Sequence, residues 1–176
     1  EKINQLMVKK AKLGKIVCRF KNGDIMIFSR LSQELEALNK YKILFELVPG
    51  VTAASAAAGF SGIPLTDRRY ASVLSLITGH EDPKKENTNI AWDKLSPQST
   101  LVFYMGIENL SQIVKKLLEN GFPKNLPVAI IENATLYNQK VTTGTLANIE
   151  KLAKRFNIEP PAMIIVGKVV SLRKSF

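Results

Sequence analysis

The chain has 176 residues, with 25 Lys and Arg against 15 Asp and Glu, one Cys, one His and 45% hydrophobic residues. This describes a globular protein of one domain or two small ones. It excludes a disordered or fibrous chain, an internal disulfide through Cys18, a structural zinc site built on Cys18 and His80, and a bilayer-crossing helix, which needs roughly 20 apolar residues. The start, Glu1-Lys2-Ile3, lacks the pattern of a signal peptide, and the absence of an initial Met fits a missing natural N-terminus. The cysteine usage suits a reducing, cytoplasmic setting.

Residues 1 to 13 carry Ile3, Leu6, Met7, Ala11 and Leu13 at amphipathic-helix spacing, with Gly14 as the stop. Lys15 to Phe20 reads as a short buried strand, Lys21 to Asp24 as a turn and Ser32 to Leu38 as a helix. Ile43 to Val48 reads as the next strand, stopped by Pro49-Gly50. Thr52 is then a helix N-cap, and the run Ala53 to Ala58 is small enough for a helix to lie close to a sheet or a ligand. Beyond Arg69 the pieces shorten. Strands are expected at 73–78, 100–104, 128–131, 140–143 and 162–170, with Gly167 as a bulge or break in the last. A polar loop spans 79–88, Trp92 anchors a short helix, and helices cover 110–118 and 146–156. The change of pattern near residues 64 to 72 places a boundary between a first α/β part, 1–68, and a second, 69–176, with a mixed sheet.

The formal charge of +10 raises the local concentration of anions of any kind. The basic residues are scattered among acids, and no basic run is interleaved with aromatics, so nucleic acid is the minority reading. The chain has no P-loop, G-x-G-x-x-G, C-x-x-C or G-x-S-x-G motif. His80, alone beside Gly79, Glu81 and Asp82, reads as a loop or substrate-contact residue rather than a general base. What remains is a set of small-residue turns at the C-terminal ends of strands: Asn22-Gly23-Asp24, Pro49 to Ala53 and Met105-Gly106. Ligands gather at such ends in open α/β sheets.

The order and wording of these segments resemble one family. Val48-Pro-Gly-Val-Thr-Ala-Ala54, Gly62-Ile-Pro-Leu-Thr66 with Arg68 and Tyr70, Thr78-Gly-His80 and Val102-Phe-Tyr-Met-Gly106 look like the tetrapyrrole methylases. Further echoes run from Pro127 to Asn133, Gln139 to Leu146 and Pro161 to Gly167, nearly end to end.

The resemblance implies two α/β domains with the active site in the cleft between them, the first domain being incomplete. It also implies S-adenosylmethionine as methyl donor, S-adenosylhomocysteine as product and no metal. The reaction it implies is C-methylation of uroporphyrinogen III to precorrin-2, in siroheme and cobalamin synthesis. Asn22, Gly23, Asp24 and Ile27 match the family's first cofactor-contacting turn, Thr52 and Ala53 the second, Met105 the third and Ala134 the fourth. Asp24 either favours the sulfonium cation through its charge or serves through its backbone; both roles stay open. The anionic tetrapyrrole, an octacarboxylate, would be held by Arg30, Arg68, Arg69 and His80, since guanidinium pairs with carboxylates bidentately. A homodimer and no membrane partner are also implied.

Three departures qualify the match. Asn22 and Ile25 stand where the family has Gly and Pro, and Asn tolerates positive φ at modest cost. Ala134 stands where Gly is expected, adding a methyl group to the adenosine pocket. The family's glycine-rich N-terminal turn, and the acid and lysine proposed there for proton transfer, fall before Glu1, so catalytic residues are expected outside this chain. The alternatives are another precorrin methyltransferase and, from a different class, a non-catalytic basic domain binding RNA or another polyanion.

Overall fold

The computed structural model describes residues 2–81 and 88–175 and divides into two compact units, Glu1–Thr52 and Ala53–Phe176. The change of pattern in the sequence at 64 to 72 falls inside the second unit. The expected loop of 79–88 lies largely outside the described residues, which resume at Thr88.

The first unit is built on two helices, α1 (Lys2–Lys12) and α2 (Leu31–Lys40), packed against one another. α1 ends as the sequence predicts. Gly14 is left-handed at φ 71°, its N–H donates to Ala11 O at 2.9 Å and the Lys15 N–H reaches Lys10 O at 3.4 Å, a Schellman closure. Glu34, in the first turn of α2, is buried and fastens the preceding segment to the helix. Arg19 Nε donates to its Oε1 at 3.0 Å and Lys21 Nζ to its Oε2 at 2.9 Å. Burial raises the Glu34 pKa, but the hydrogen bonds and charges of Lys21 and Arg19 outweigh it and hold the carboxyl below its ordinary value.

The strands expected at 15–20 and 43–48 do not form among the described residues. Both segments are irregular, with Ile16 and Leu44 almost fully exposed. Their apolar, β-branched composition suits a strand, but a strand exists only through a ladder partner.

The second unit holds a five-stranded mixed sheet of β1 (Leu74–Thr78), β2 (Thr100–Tyr104), β3 (Pro127–Glu132), β4 (Lys140–Thr145) and β5 (Ala162–Val166), in the order β1-β2-β5-β3-β4. β1 and β2 are parallel; every other pairing is antiparallel. β2, β3 and β5 are nearly continuous apolar runs because both of their faces are covered. One face packs Leu101, Phe103, Val128, Ile130, Ile164 and Val166 against α4 (Leu110–Glu119) and α5 (Ile149–Arg155). Against the other lie α3 (Ala53–Ser61), which reaches β5, and the terminal 3-10 helix Lys168–Ser175, which reaches β3.

Leu110, Ile113, Val114 and Leu117 form the buried stripe of α4 that their spacing predicts. The helix closes at left-handed Gly121, with Phe122 N–H on Leu117 O at 3.1 Å. Trp92 opens a short 3-10 helix, Trp92–Lys94, and stacks on Phe103 with ring centroids 6.1 Å apart.

The last strand is shorter than expected. It stops at Val166 rather than Val170, because Gly167 at φ 148° diverts the backbone and the chain continues as 3-10 helix. Val169, Val170 and Leu172 remain buried from that helix, which accounts for their apolar character without a strand.

Candidate functional site

In the second unit one edge of the sheet gathers the C-terminal ends of β1, β2 and β3 and the start of the antiparallel β5. A cavity of about 580 Å³ opens there. α3 contributes Ala53 and Ala57 to its wall, the segment after β1 contributes His80, and the end of β2 with its turn contributes Tyr104, Met105, Ile107 and Glu108. The end of β3 and its hairpin loop supply Ile131, Asn133, Ala134 and Leu136; Pro160 to Met163 complete the wall. The small side chains of Ala54, Ala57 and Ala58 are buried, which lets α3 lie close to the sheet.

Backbone conformation at this edge is unusual. Met105 directly after β2 has φ 55°, Asn133 directly after β3 has φ 48° and Thr135 has φ 74°. Such conformations in residues with side chains cost on the order of 1–2 kcal/mol each, and they collect at ligand sites because the surroundings over-determine them. Each turns the chain sharply off a strand end, and Ala134 lies between two of them. Gln139, the last residue of the loop, closes it on itself and ties it to α3: its Oε1 accepts from Thr135 N–H at 2.9 Å and its Nε2 donates to Phe60 O at 3.0 Å.

β1 and β2 are drawn together where they end. Gly79 N–H donates to Tyr104 O at 2.6 Å and Asn109 Nδ2 donates to Gly79 O at 2.7 Å. A Cβ on Gly79 would stand 2.4 Å from the Cα of Gly106, so only glycine fits between these backbones. Asn109 spends its side chain on this bridge and leaves α4 without a side-chain cap. The Tyr104 hydroxyl accepts from Ala54 N–H at 3.4 Å, tying the first turn of α3 to the end of β2.

Of the residues singled out in the sequence, Ala53, Met105, Ala134 and His80 therefore meet around one cavity. His80 is exposed and held by a Thr78 turn, in which Thr78 Oγ1 accepts from His80 N–H at 3.3 Å and donates to His80 O at 2.8 Å. Arg68 is exposed, and the Arg69 guanidinium is engaged bidentately by Asp67, Nε to Oδ1 and Nη2 to Oδ2 both at 3.0 Å. That pairing lowers the Asp67 pKa and raises that of Arg69. Arg69 must exchange Asp67 for any other carboxylate.

In the first unit, Asn22, Gly23, Asp24 and Ile27 lie in the turn after the 15–20 segment, and Arg30 is the exposed, left-handed residue before α2. The positive φ of that turn falls on Gly23, at 73°, not on Asn22, so the substitution of Gly by Asn carries no backbone cost. Thr52 immediately precedes α3, where an N-cap residue belongs.

Sequence reasoning missed Tyr104, Glu108, Asn133 and the Pro160-Pro161 pair as cavity residues. Their only signal was proximity to strand ends. Among the described residues no group of His, Cys, Asp and Glu is arranged to hold a metal ion, and no helix is long and apolar enough to cross a membrane.

Siroheme synthase of Escherichia fergusonii is 47% identical over 174 residues, which is 98% of this chain and 37% of that protein. The chain thus spans little more than a third of the length of the curated relatives it matches. Among solved structures, uroporphyrin-III C-methyltransferase from Thermus thermophilus superposes with a TM-score of 0.85 at 34% identity, over 99% of this chain and 74% of that one. A structure of the Thermus enzyme complexed with S-adenyl homocysteine superposes at 0.82 and 28% identity, over 97% and 74%. Residues 1–150 match the pattern of the Tetrapyrrole (Corrin/Porphyrin) Methylases, and with that match, which takes in both units, the chain belongs to the tetrapyrrole methylase family.

Proposed function

We propose that this chain is the methyl-transferring part of an S-adenosylmethionine-dependent C-methyltransferase that converts uroporphyrinogen III to precorrin-2. The observation that carries the reading is the convergence of Ala53, Met105 and Ala134, distant in sequence, on the walls of one cavity. The cavity suits an adenosyl group. Its volume lies within the roughly 300–1,000 Å³ of small-molecule sites, its side chains are mainly apolar with alanines on several walls, and left-handed residues turn the chain at its strand ends. The similarity to a Thermus enzyme complexed with S-adenyl homocysteine supports the same choice.

The donor supplies an electrophilic methyl group on a sulfonium, so the protein's task is placement and exclusion of water. Ala53 and Ala57 present a flat, small-residue wall, while Met105 and Ala134 face in from two separate strand-end turns. Tyr104 fixes the first turn of α3 against β2, which sets the spacing between those walls. His80 stands at the cavity as a hydrogen-bonding group for an anionic substrate. The chain's charge of +10 favours approach of a polycarboxylate, and Arg30 and Arg68 are exposed cations available to meet it. Cytoplasmic location and a homodimeric assembly belong to the same reading.

The test is incubation of this chain, joined to the preceding segment that carries the family's acid and lysine, with S-adenosylmethionine and uroporphyrinogen III under anaerobic conditions, with the product weighed by mass spectrometry; no transfer by the joined protein would sink the reading. Transfer of two methyl groups is expected. Binding of S-adenosylhomocysteine without methylation of uroporphyrinogen III, but with methylation of a later precorrin, would reassign the substrate.

A further inference from the structure

In the first unit both carboxylate oxygens of Asp24 accept from backbone. Asp24 Oδ1 accepts from Met26 N–H at 2.7 Å, and Asp24 Oδ2 accepts from Gly50 N–H at 2.9 Å, 26 residues away in sequence. The first bond folds the turn on itself; the second reaches across to the Pro49-Gly50 turn. There the two backbones touch. A Cβ on Gly50 would stand 2.2 Å from Gly23 O and 3.5 Å from the Cα of Asp24, so the peptide of Gly50 is seated directly on left-handed Gly23. No strand pairing joins the segments that lead into these turns among the described residues, and the carboxylate adds a hydrogen-bonded fastening to their backbone contact.

We propose that Asp24 is a positioning residue: its carboxylate latches the Asn22–Asp24 turn, which the family resemblance matches to the cofactor, to the Pro49-Gly50 turn that leads to Thr52, and so sets the backbone of both, rather than meeting the cofactor's charge. The inference rests on the cofactor reading given above and assigns the chemistry within it. Both carboxylate oxygens are spent on N–H donors, each a charge-assisted hydrogen bond. These bonds fix where the carboxylate lies and leave its charge in place, so a comparison of charged and uncharged ligands separates a latch from a charge contact.

The experiment compares S-adenosylmethionine, which carries the sulfonium, with S-adenosylhomocysteine, which does not, by calorimetric titration of wild type, Asp24→Asn and Asp24→Glu. Asparagine removes one acceptor and the charge; glutamate keeps the charge but displaces it by a methylene. A latch predicts that both variants weaken both ligands together, by about tenfold, with the ratio of the two dissociation constants unchanged. In ligand-free protein, hydrogen exchange at the Gly50 amide should accelerate by a similar factor in Asp24→Asn. A loss confined to S-adenosylmethionine and rescued by Asp24→Glu would overturn the latch in favour of a charge contact. Unchanged Gly50 exchange in Asp24→Asn would overturn it independently of any ligand. Wild-type protein that binds neither ligand removes the cofactor reading and with it the latch's role, whatever the Gly50 amide does.

Discussion

Replacing Glu34 by Gln tests the electrostatics that hold the first unit together. Glu34 is 9% exposed and receives Lys21 Nζ at 2.9 Å and Arg19 Nε at 3.0 Å. The two partners are unequal. The Lys21 side chain is 10% exposed and also donates to Ser29 O at 2.6 Å, whereas the Arg19 side chain is 37% exposed and solvated. The Arg19 bond is therefore worth under about 1 kcal/mol. Stranding a buried ammonium by neutralising its partner costs about 3–5 kcal/mol when burial is complete. Lys21 keeps one carbonyl and some water, and Gln still offers one acceptor, so about 2–3 kcal/mol is expected, at the level of a charged hydrogen bond.

The only tryptophan, Trp92, lies in the second unit, so fluorescence does not report on this change. Hydrogen exchange of the α2 amides does, and at pH 7 it should run about thirty to a hundred and fifty times faster in Glu34→Gln. The pH dependence has a definite sign. The folded pKa lies below the ordinary value near 4.5, so the contribution is present above that value and is lost as pH falls through the folded pKa. Wild-type protection should decline across that acid range while the Gln variant stays flat. Equal α2 exchange in the two proteins at pH 7 would refute the reasoning.

Three substitutions in the second unit can be read by urea unfolding, with Trp92 fluorescence as the probe because its ring stacks on Phe103. Tyr104→Phe removes the acceptor of the Ala54 N–H and should cost about 0.5–1.5 kcal/mol; no change in midpoint would show that this bond adds nothing. Gly79→Ala puts a methyl group 2.4 Å from the Gly106 Cα, and because the obstacle is backbone it should cost at least about 1–3 kcal/mol and disturb Met105 as well. Leu117→Ala, at a fully buried position of the α4 stripe, should cost about 2–5 kcal/mol with no direct effect on cofactor binding; a selective loss of binding would mean that α4 is coupled to the cavity.

Much of the second unit was legible in the sequence because its strands and helices meet their partners within the chain. The run at 128–131 is apolar at every position and that at 100–104 at every position but Thr100, as suits central strands covered on both faces, and the α4 stripe has one helical period. The runs at 15–20 and 43–48 are also mostly apolar, broken only by Lys15, Arg19 and Glu46, yet they remain irregular with Ile16 and Leu44 in solvent. Composition expresses a tendency to extend, and pairing depends on a neighbour it cannot supply. Gly167 was legible as an interruption, but whether the chain would resume as strand or helix was not, since Val169 and Val170 satisfy both. At the site, family resemblance pointed to Met105 and Ala134, while the left-handed turns around them did not show. Thr135 at φ 74° is a conformation its own side chain disfavours, imposed by the hairpin and by Gln139. Nor did sequence show that Asp24 spends both oxygens on backbone or that Arg69 is held by Asp67.

The central claim is that the cavity among Ala53, Met105 and Ala134 is the adenosyl site. Calorimetric titration with S-adenosylhomocysteine, on wild type and on Ala134→Leu with matched thermal unfolding, tests it most directly. One molecule bound per chain with a dissociation constant on the order of micromolar, weakened at least about tenfold when leucine fills the space, is the predicted result. Wild-type protein that gives no binding heat, or a leucine variant that binds as tightly as wild type, would contradict it.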